Sequence, residues 1–372
     1  MKCKILLLSP LPPPLGGIAS WTLNVLGYLS KTRCDVNHLN TAMKFRRVTS
    51  VSFFARVITG VLDFIYLFVK YIKALVLLKP DVIYLTSSGS LGLLSNYVIV
   101  FLASLFRIKR ILHLRFGRVP ELAEANNWEF LLLLRVINKC DSVIVLDNAS
   151  YKALCDCKGI NAKVFKVPNP VSVRVAEFAL MKRVASEDYY LFVGHVIKSK
   201  GIYELLDAYK EIKTSAKLLI IGPFEKEFLS ELIEFVEKYN LCDKIIFLGP
   251  KSKEEVLDYM SRAKALVLPS YTEGFPNVVI EGMACGCPII ATNVGAIEEM
   301  INFTTIDMIL DSAGLCFRPR SSEDLLKVLD YFESNTHIHK VLGNNGKKRV
   351  IENYTLEHII PQYKKIICKI NS

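Results

Sequence analysis

Glu273 and Glu281 stand eight residues apart within residues 269–299, PSYTEGFPNVVIEGMACGCPIIATNVGAIEE. An ionised carboxylate accepts hydrogen bonds and donates none, so each acid can take two hydroxyls of a ribose or hexose diol. Between them lies Gly274-Phe275-Pro276-Asn277, which reads as a loop opening a helix. Gly274 permits close backbone approach, Pro276 suits a first helical turn, and Asn277 is expected as the N-cap. The N–H groups left unpaired at such a helix start can bind sugar hydroxyls or phosphate oxygens. Glu281 falls about one turn into the helix and Glu273 just before it, so both acids can face one cleft.

The elements that must hold these groups are legible on either side. Residues 265–268 read as a buried strand, Gly286 stops the helix, and residues 288–291 read as the next strand. Apolar runs at 82–85, 142–146, 217–221 and 244–248 alternate with helical segments. That alternation predicts an α/β chain with parallel sheets covered on both faces. A strand, a glycine loop, a helix carrying an inward acid and another strand suit a polar, anionic ligand.

The segment resembles the E-x7-E signature of the retaining glycosyltransferases of family four (glycosyl transferases group 1). The resemblance implies the GT-B fold, two Rossmann-like doubly wound parallel-sheet domains facing a cleft. It implies that Glu273 lies beside the donor sugar and its anomeric carbon, that Glu281 binds the nucleotide ribose, and that the backbone of Gly274, Phe275, Pro276 and Asn277 holds the sugar hydroxyls. A second match is residues 190–194, YLFVG, followed by His195-Val196-Ile197-Lys198-Ser199-Lys200-Gly201 and a helix over 202–213. It resembles the family's G-R-x-x-x-x-K-G element, whose cations neutralise the donor diphosphate. Gly194 and Lys200 fit it. His195 stands where the family has arginine, and histidine is mostly neutral at pH 7 whereas lysine keeps its charge.

Negative charge grows on the leaving oxygens of a nucleoside diphosphate, and something must stabilise it. The chain contains no Asp-x-Asp, so Lys200 and helix N-termini are expected to do this with no metal and no cofactor, the nucleotide-sugar (UDP- or GDP-linked) being co-substrate. Residues 3–9 read as a strand, residues 10–17 (PLPPPLGG) as a rigid loop and residues 18–30 as a helix. Gly16 and Gly17 match the family's glycine-rich loop facing donor and acceptor. This is not G-x-G-x-x-G, so a nicotinamide dinucleotide is not expected. The prolines also interrupt the strand too early for a signal peptide. In residues 111–120, ILHLRFGRVP, the family's active-site histidine corresponds to His113, or else Arg115 occupies its position; the two readings stay open. Base contacts are expected after Gly249.

Length suits two domains: residues 1–167 as an acceptor-binding unit completed by a helix at about 356–372, a linker over 168–187 beginning Pro168-Asn169-Pro170, and residues 188–355 as the nucleotide-sugar unit. Residues 1–170 hold 22 Lys+Arg against 9 Asp+Glu, so the basicity of the chain belongs to the first unit. That favours an anionic acceptor or leaflet; without a recognisable module it does not point to nucleic acid. Apolar stretches at 51–78 and 91–106 are interrupted or short for spanning helices, so buried or interfacial helices are expected. The expected acceptor is a glycan or a lipid-linked glycan, and the expected location is cytoplasmic, peripheral at the inner face of the membrane. The ten cysteines lack zinc spacing and are expected reduced and buried. The resulting reading is a retaining hexosyltransferase of surface-glycan synthesis. Its rivals are a GT-B epimerase or phosphorylase and an inactive donor-binding scaffold.

Overall fold

The computed structural model describes residues 3–13, 16–29, 35–44, 53–90, 92–181 and 186–371; parts of the expected 10–17 loop, 51–78 and 91–106 stretches and 168–187 linker lie outside them. The chain divides into two compact units, residues 1–170 with 356–372, and residues 171–355.

The first unit runs β1 (Lys4–Ser9), α1 (Gly17–Leu29), β2 (Asp35–Asn40), α2 (Phe53–Leu78), β3 (Val82–Ser87), α3 (Gly92–Leu105), β4 (Lys109–Leu114), α4 (Val119–Ala125), α5 (Trp128–Ile137), β5 (Ser142–Val145), α6 (Asn148–Cys155) and β6 (Lys163–Lys166). All strand pairs are parallel, in the order β2-β1-β3-β4-β5-β6. This is the flavodoxin-like order, which reverses direction between β1 and β3. Side chains alternate across the sheet with period two. Leu6, Leu8, Ile83, Leu85, Leu112 and Val143 join one core with α2, α3 and α5. Ile5, Leu7, Val82, Tyr84, Ile111 and Ile144 join the other, closed by Trp21 and Val25 of α1 and by Ile359, Tyr363 and Ile366 of the last helix. The last helix therefore belongs to the first unit because one face of its sheet has only α1 otherwise to cover it.

In the second unit α7 (Val173–Leu180) comes first, then β7 (Tyr189–Val193), α8 (Ile202–Glu211), β8 (Lys217–Ile221), α9 (Lys226–Lys238), β9 (Ile245–Gly249), α10 (Lys253–Arg262), β10 (Ala265–Leu268), α11 (Asn277–Ala284), β11 (Ile289–Thr292), α12 (Ile297–Ile301), β12 (Gly314–Phe317), α13 (Ser322–Ser334) and α14 (His337–Asn353). Its parallel order, β12-β11-β10-β7-β8-β9, is that of the Rossmann fold, with the reversal between β7 and β10. The strands read as buried apolar runs because helices cover both faces. The chain then returns to the first unit as α15 (Leu356–Asn371).

Three expectations are corrected here. The segment expected as a linker, 168–187, contains α7, which Ser172 caps through Val175 N–H and which buries Val175 and Ala179; the change of unit falls at Pro170. Asn277 is not the N-cap: Pro276, with extended backbone, takes that place and Asn277 is the first helical residue. The cysteines are not uniformly buried. Cys140, Cys285 and Cys287 are, whereas Cys155, Cys242 and Cys368 are exposed. Among the described residues no helix is long and apolar enough to cross a membrane.

Candidate functional site

In open α/β sheets a ligand binds outside the carboxyl ends of the strands where the strand order reverses. In the second unit those strands are β7 and β10. Lys200 follows the first and Glu273 the second, although 73 residues separate them along the chain.

Lys200 ends a single 3₁₀ turn, residues Lys198–Lys200. Gly201 closes it with φ 69°, its N–H donating to Lys198 C=O at 2.9 Å. A Cβ on Gly201 would lie 2.0 Å from the Pro269 carbonyl oxygen, so the turn rests directly on the strand-end backbone. Tyr271 N–H donates to Ser199 C=O at 2.9 Å. These contacts tie the cationic turn to the acidic loop. Lys200 Nζ donates to Glu273 Oε1 at 2.5 Å, and Ser270 Oγ donates to the same oxygen at 2.7 Å. The Glu273 side chain is 12 % exposed, so its carboxylate is held by a cation and a hydroxyl with little water.

The loop is anchored on its other side. Ala296 N–H donates to Gly274 C=O at 2.9 Å. Gly295, at φ 58°, would place a Cβ 2.2 Å from the Glu273 carbonyl oxygen. Phe275 is buried against Tyr354, ring centroids 5.7 Å apart. The helix carrying Glu281 closes with Gly286 N–H on Met283 C=O and Cys287 N–H on Gly282 C=O, both 2.9 Å, the paired bonds of a Schellman end. Glu281 itself pairs with Lys253 of α10. Burial pushes the Glu281 carboxyl up, and Lys253 opposes that rise.

That balance predicts a pH-dependent stability. An acid whose folded pKa is raised stabilises fully below its unfolded value, near 4.5, and loses that contribution as pH rises through the folded value. Removing Lys253 enlarges the rise. Lys253→Ala is therefore expected to match the wild type in melting temperature below about pH 4.5 and to fall behind by several degrees at pH 7. Paired thermal melts across that window check it; a constant offset would contradict it.

Other expected positions separate clearly. Gly194 follows β7 and donates to Ile221 C=O at 3.0 Å; Gly249 ends β9 and accepts from Gly222 N–H at 3.0 Å. His195 is exposed. In the first unit, Gly16 directly precedes α1 and Gly17 begins it, after β1 at that sheet's own reversal. A Cβ on Gly16 would meet no atom within 4 Å, so the backbone there stands open.

His113 is not placed to touch a substrate, which corrects its assignment as a catalytic residue. It is wholly buried on β4, with its ring 5.2 Å from Trp21 and 5.9 Å from both Tyr84 and Tyr363. Strand alternation sends it to the face that α1 and α15 cover. Tyr84 Oη lies 2.9 Å from His113 Nδ1, and burial drives the imidazole well below its ordinary pKa. Arg115, two residues on, is only partly buried. It stacks 4.7 Å over Trp21 and donates to Asn169 Oδ1 at 2.5 Å. Its Nε is buried with no hydrogen-bond partner, and burial lowers the guanidinium to about 10. Of the two residues, His113 is wholly buried and Arg115 is partly exposed.

Ser270, Lys253 and Gly295 are parts of the site that sequence reasoning missed. Ser270 had a signal, a hydroxyl directly after a buried strand. Lys253 is one lysine among many until α10 is seen beside α11.

Two parallel-sheet Rossmann-like units, the second with a lysine–glutamate pair at its strand-order reversal, define the GT-B glycosyltransferase class of fold. The chain matches the family of glycosyl transferases group 1 over residues 180–349. It is 38 % identical over 161 residues to an uncharacterised glycosyltransferase, MJ1178, of Methanocaldococcus jannaschii, covering 43 % of this chain and 42 % of that one. It is 27 % identical over 172 residues to the capsular polysaccharide biosynthesis glycosyltransferase CapM of Staphylococcus aureus, covering 45 % and 42 %. The chain thus spans less than half the length of these relatives. Among solved structures it is similar to sucrose-phosphate synthase of Thermosynechococcus elongatus, TM-score 0.76, 20 % identical, covering 99 % of both chains. It is also similar to Anabaena HepE in complex with UDP, TM-score 0.72, 15 % identical, covering 99 % and 100 %.

Proposed function

We propose that the protein is a retaining glycosyltransferase that moves a hexose from a UDP- or GDP-linked donor to a hydroxyl of a surface-polysaccharide acceptor, with the acceptor carried on a lipid. The observation that carries this reading is the Lys200–Glu273 pair, tied by backbone to both strand ends at the reversal point. Lys200 supplies a fixed positive charge where the donor diphosphate leaves. Glu273, poor in water, positions the donor sugar and stabilises cationic character at the anomeric carbon. Glu281 takes the ribose hydroxyls. In the transfer, the bond from the anomeric carbon to the diphosphate oxygen breaks and one to the acceptor oxygen forms. The acceptor proton passes to the departing phosphate on the same face. Lys200 makes a metal unnecessary in this scheme, and the sequence holds no Asp-x-Asp to bind one. Capsule synthesis by CapM and UDP bound to HepE support the choice of acceptor class and nucleotide. The first unit, with its basic balance and Arg115, would receive an anionic acceptor, which fits a cytoplasmic enzyme working at the membrane face.

A thermal-shift panel of UDP-, GDP- and ADP-sugars tests the donor half. A donor at a hundredfold excess over its Kd adds about 2.7 kcal/mol of stability, which is about 5 to 10 °C for a domain of this size. No shift with any nucleotide-sugar would remove the reading. Transfer that survives a chelator supports the metal-free step; transfer abolished by it and restored by a divalent ion would refute that step.

A further inference from the structure

The outward side of α2 is unlike an ordinary surface helix. Its inner side gives Tyr71 and Leu75 to the core. Ile58, Leu62, Ile65, Val69 and Val76 recur at helical spacing on the opposite side and are exposed, Ile65 at 51 % and Val69 at 61 %. A surface helix normally turns polar residues outward there. The neighbouring helices that cover the same core continue the pattern: α3 exposes Phe101 and Leu105, and α5 exposes Trp128 at 61 %. Cations border this layer. Lys70 and Lys73 are exposed on α2, and Lys139 Nζ sits 5.0 Å above the Phe101 ring. The single acid of α2, Asp63, already accepts the Lys44 N–H.

We propose that this face of the first unit rests on an anionic lipid bilayer, its aliphatic stripe in the headgroup–acyl boundary and its lysines among the headgroups. The proposal deepens the reading above, because it says how a lipid-linked acceptor would be met. Helical spacing of apolar residues also suits a partner helix from a second copy. Two copies, however, would bring Lys70 and Lys73 against like charges, with one acid on α2, Asp63, to set against them. An anionic surface answers them all.

Flotation with phosphatidylglycerol–phosphatidylcholine vesicles and with phosphatidylcholine vesicles alone tests this on the full chain. Trp128 supplies a second readout, since the other tryptophan, Trp21, is buried. The wild type is expected to float with the anionic vesicles, to do so far less with neutral ones or at high salt, and to shift Trp128 emission to shorter wavelength. Ile65→Glu with Val69→Glu is expected to lower the bound fraction at least about tenfold. Lys70→Glu with Lys73→Glu should weaken binding by at least about fivefold per position, and it keeps the test decisive should the first pair fail to fold. The inference is overturned if neither vesicle binds, if both bind equally, or if the wild type is a dimer that Ile65→Glu with Val69→Glu makes monomeric. Donor-induced thermal shifts on the same variants separate the two readings. Flotation without a donor shift would leave the lipid face standing and remove the enzymatic assignment.

Discussion

Gly201→Ala is expected to lower the melting temperature of the second unit by on the order of 10 °C and to remove nucleotide-sugar binding with it. The new Cβ would fall 2.0 Å from the Pro269 carbonyl oxygen, and backbone cannot yield as a flexible side chain does. Left-handed conformation in a non-glycine residue costs about 1–3 kcal/mol, and forcing an atom into packed surroundings costs about 1–3 kcal/mol more. At about 2–4 °C per kcal/mol for a unit of this size, the melting temperature moves by about ten degrees. The turn that moves is the one that carries Lys200, so binding should fail even where folding survives. Gly16→Ala is the control for stability, because a Cβ there would meet nothing within 4 Å, and its melting temperature should stay within about a degree of the wild type. An unchanged melt for Gly201→Ala would mean that the turn does not rest on the strand end.

The second large effect belongs to the charge pair itself. Lys200→Ala is expected to weaken donor binding roughly ten- to hundredfold, the value of a charge-assisted hydrogen bond of about 1.5–3 kcal/mol. It should lower turnover further, on the order of a hundredfold or more, because the charge matters most as the diphosphate departs. Glu273→Gln keeps the shape and the Ser270 contact while discharging the acid. It should leave donor affinity within a few fold and reduce kcat on the order of a hundredfold. Calorimetry for binding and radiolabelled transfer for turnover separate the two. Equal losses of kcat for both variants with unchanged affinity would mean that Lys200 does not hold the donor in its ground state.

Much of this arrangement was legible in the residues. The strands Lys217–Ile221 and Ala265–Leu268 fall where the apolar runs placed them, because a strand buried on both faces has no alternation to blur its ends. Glu273 and Lys200 were found separately, each in its own motif, and the sheet order joins them. What was not legible depended on contacts remote along the chain. His113 looked reactive because its residue type is. Only the return of α15, bringing Tyr363 to its ring, shows that it is enclosed. The partner of Glu281 was hidden for the same reason: a lysine on a neighbouring helix carries no local mark. The N-cap differed by one residue because proline's fixed φ serves equally well just outside a helix and just inside it.

The last helix also governs the order in which the molecule can be completed. Ile359, Tyr363 and Ile366 seal the sheet face that Trp21 occupies, yet they leave the ribosome after the whole of residues 171–355. Domains generally fold as they emerge, so the C-terminal unit can finish first, while the half made earliest waits with Tyr84 and Ile111 uncovered. Trp21 donates its indole N–H to Tyr363 Oη at 3.1 Å, a bond between residues 342 apart along the chain. Nascent chains stalled before residue 356 should therefore hold a protease-resistant second half and a first half that chaperones still recognise.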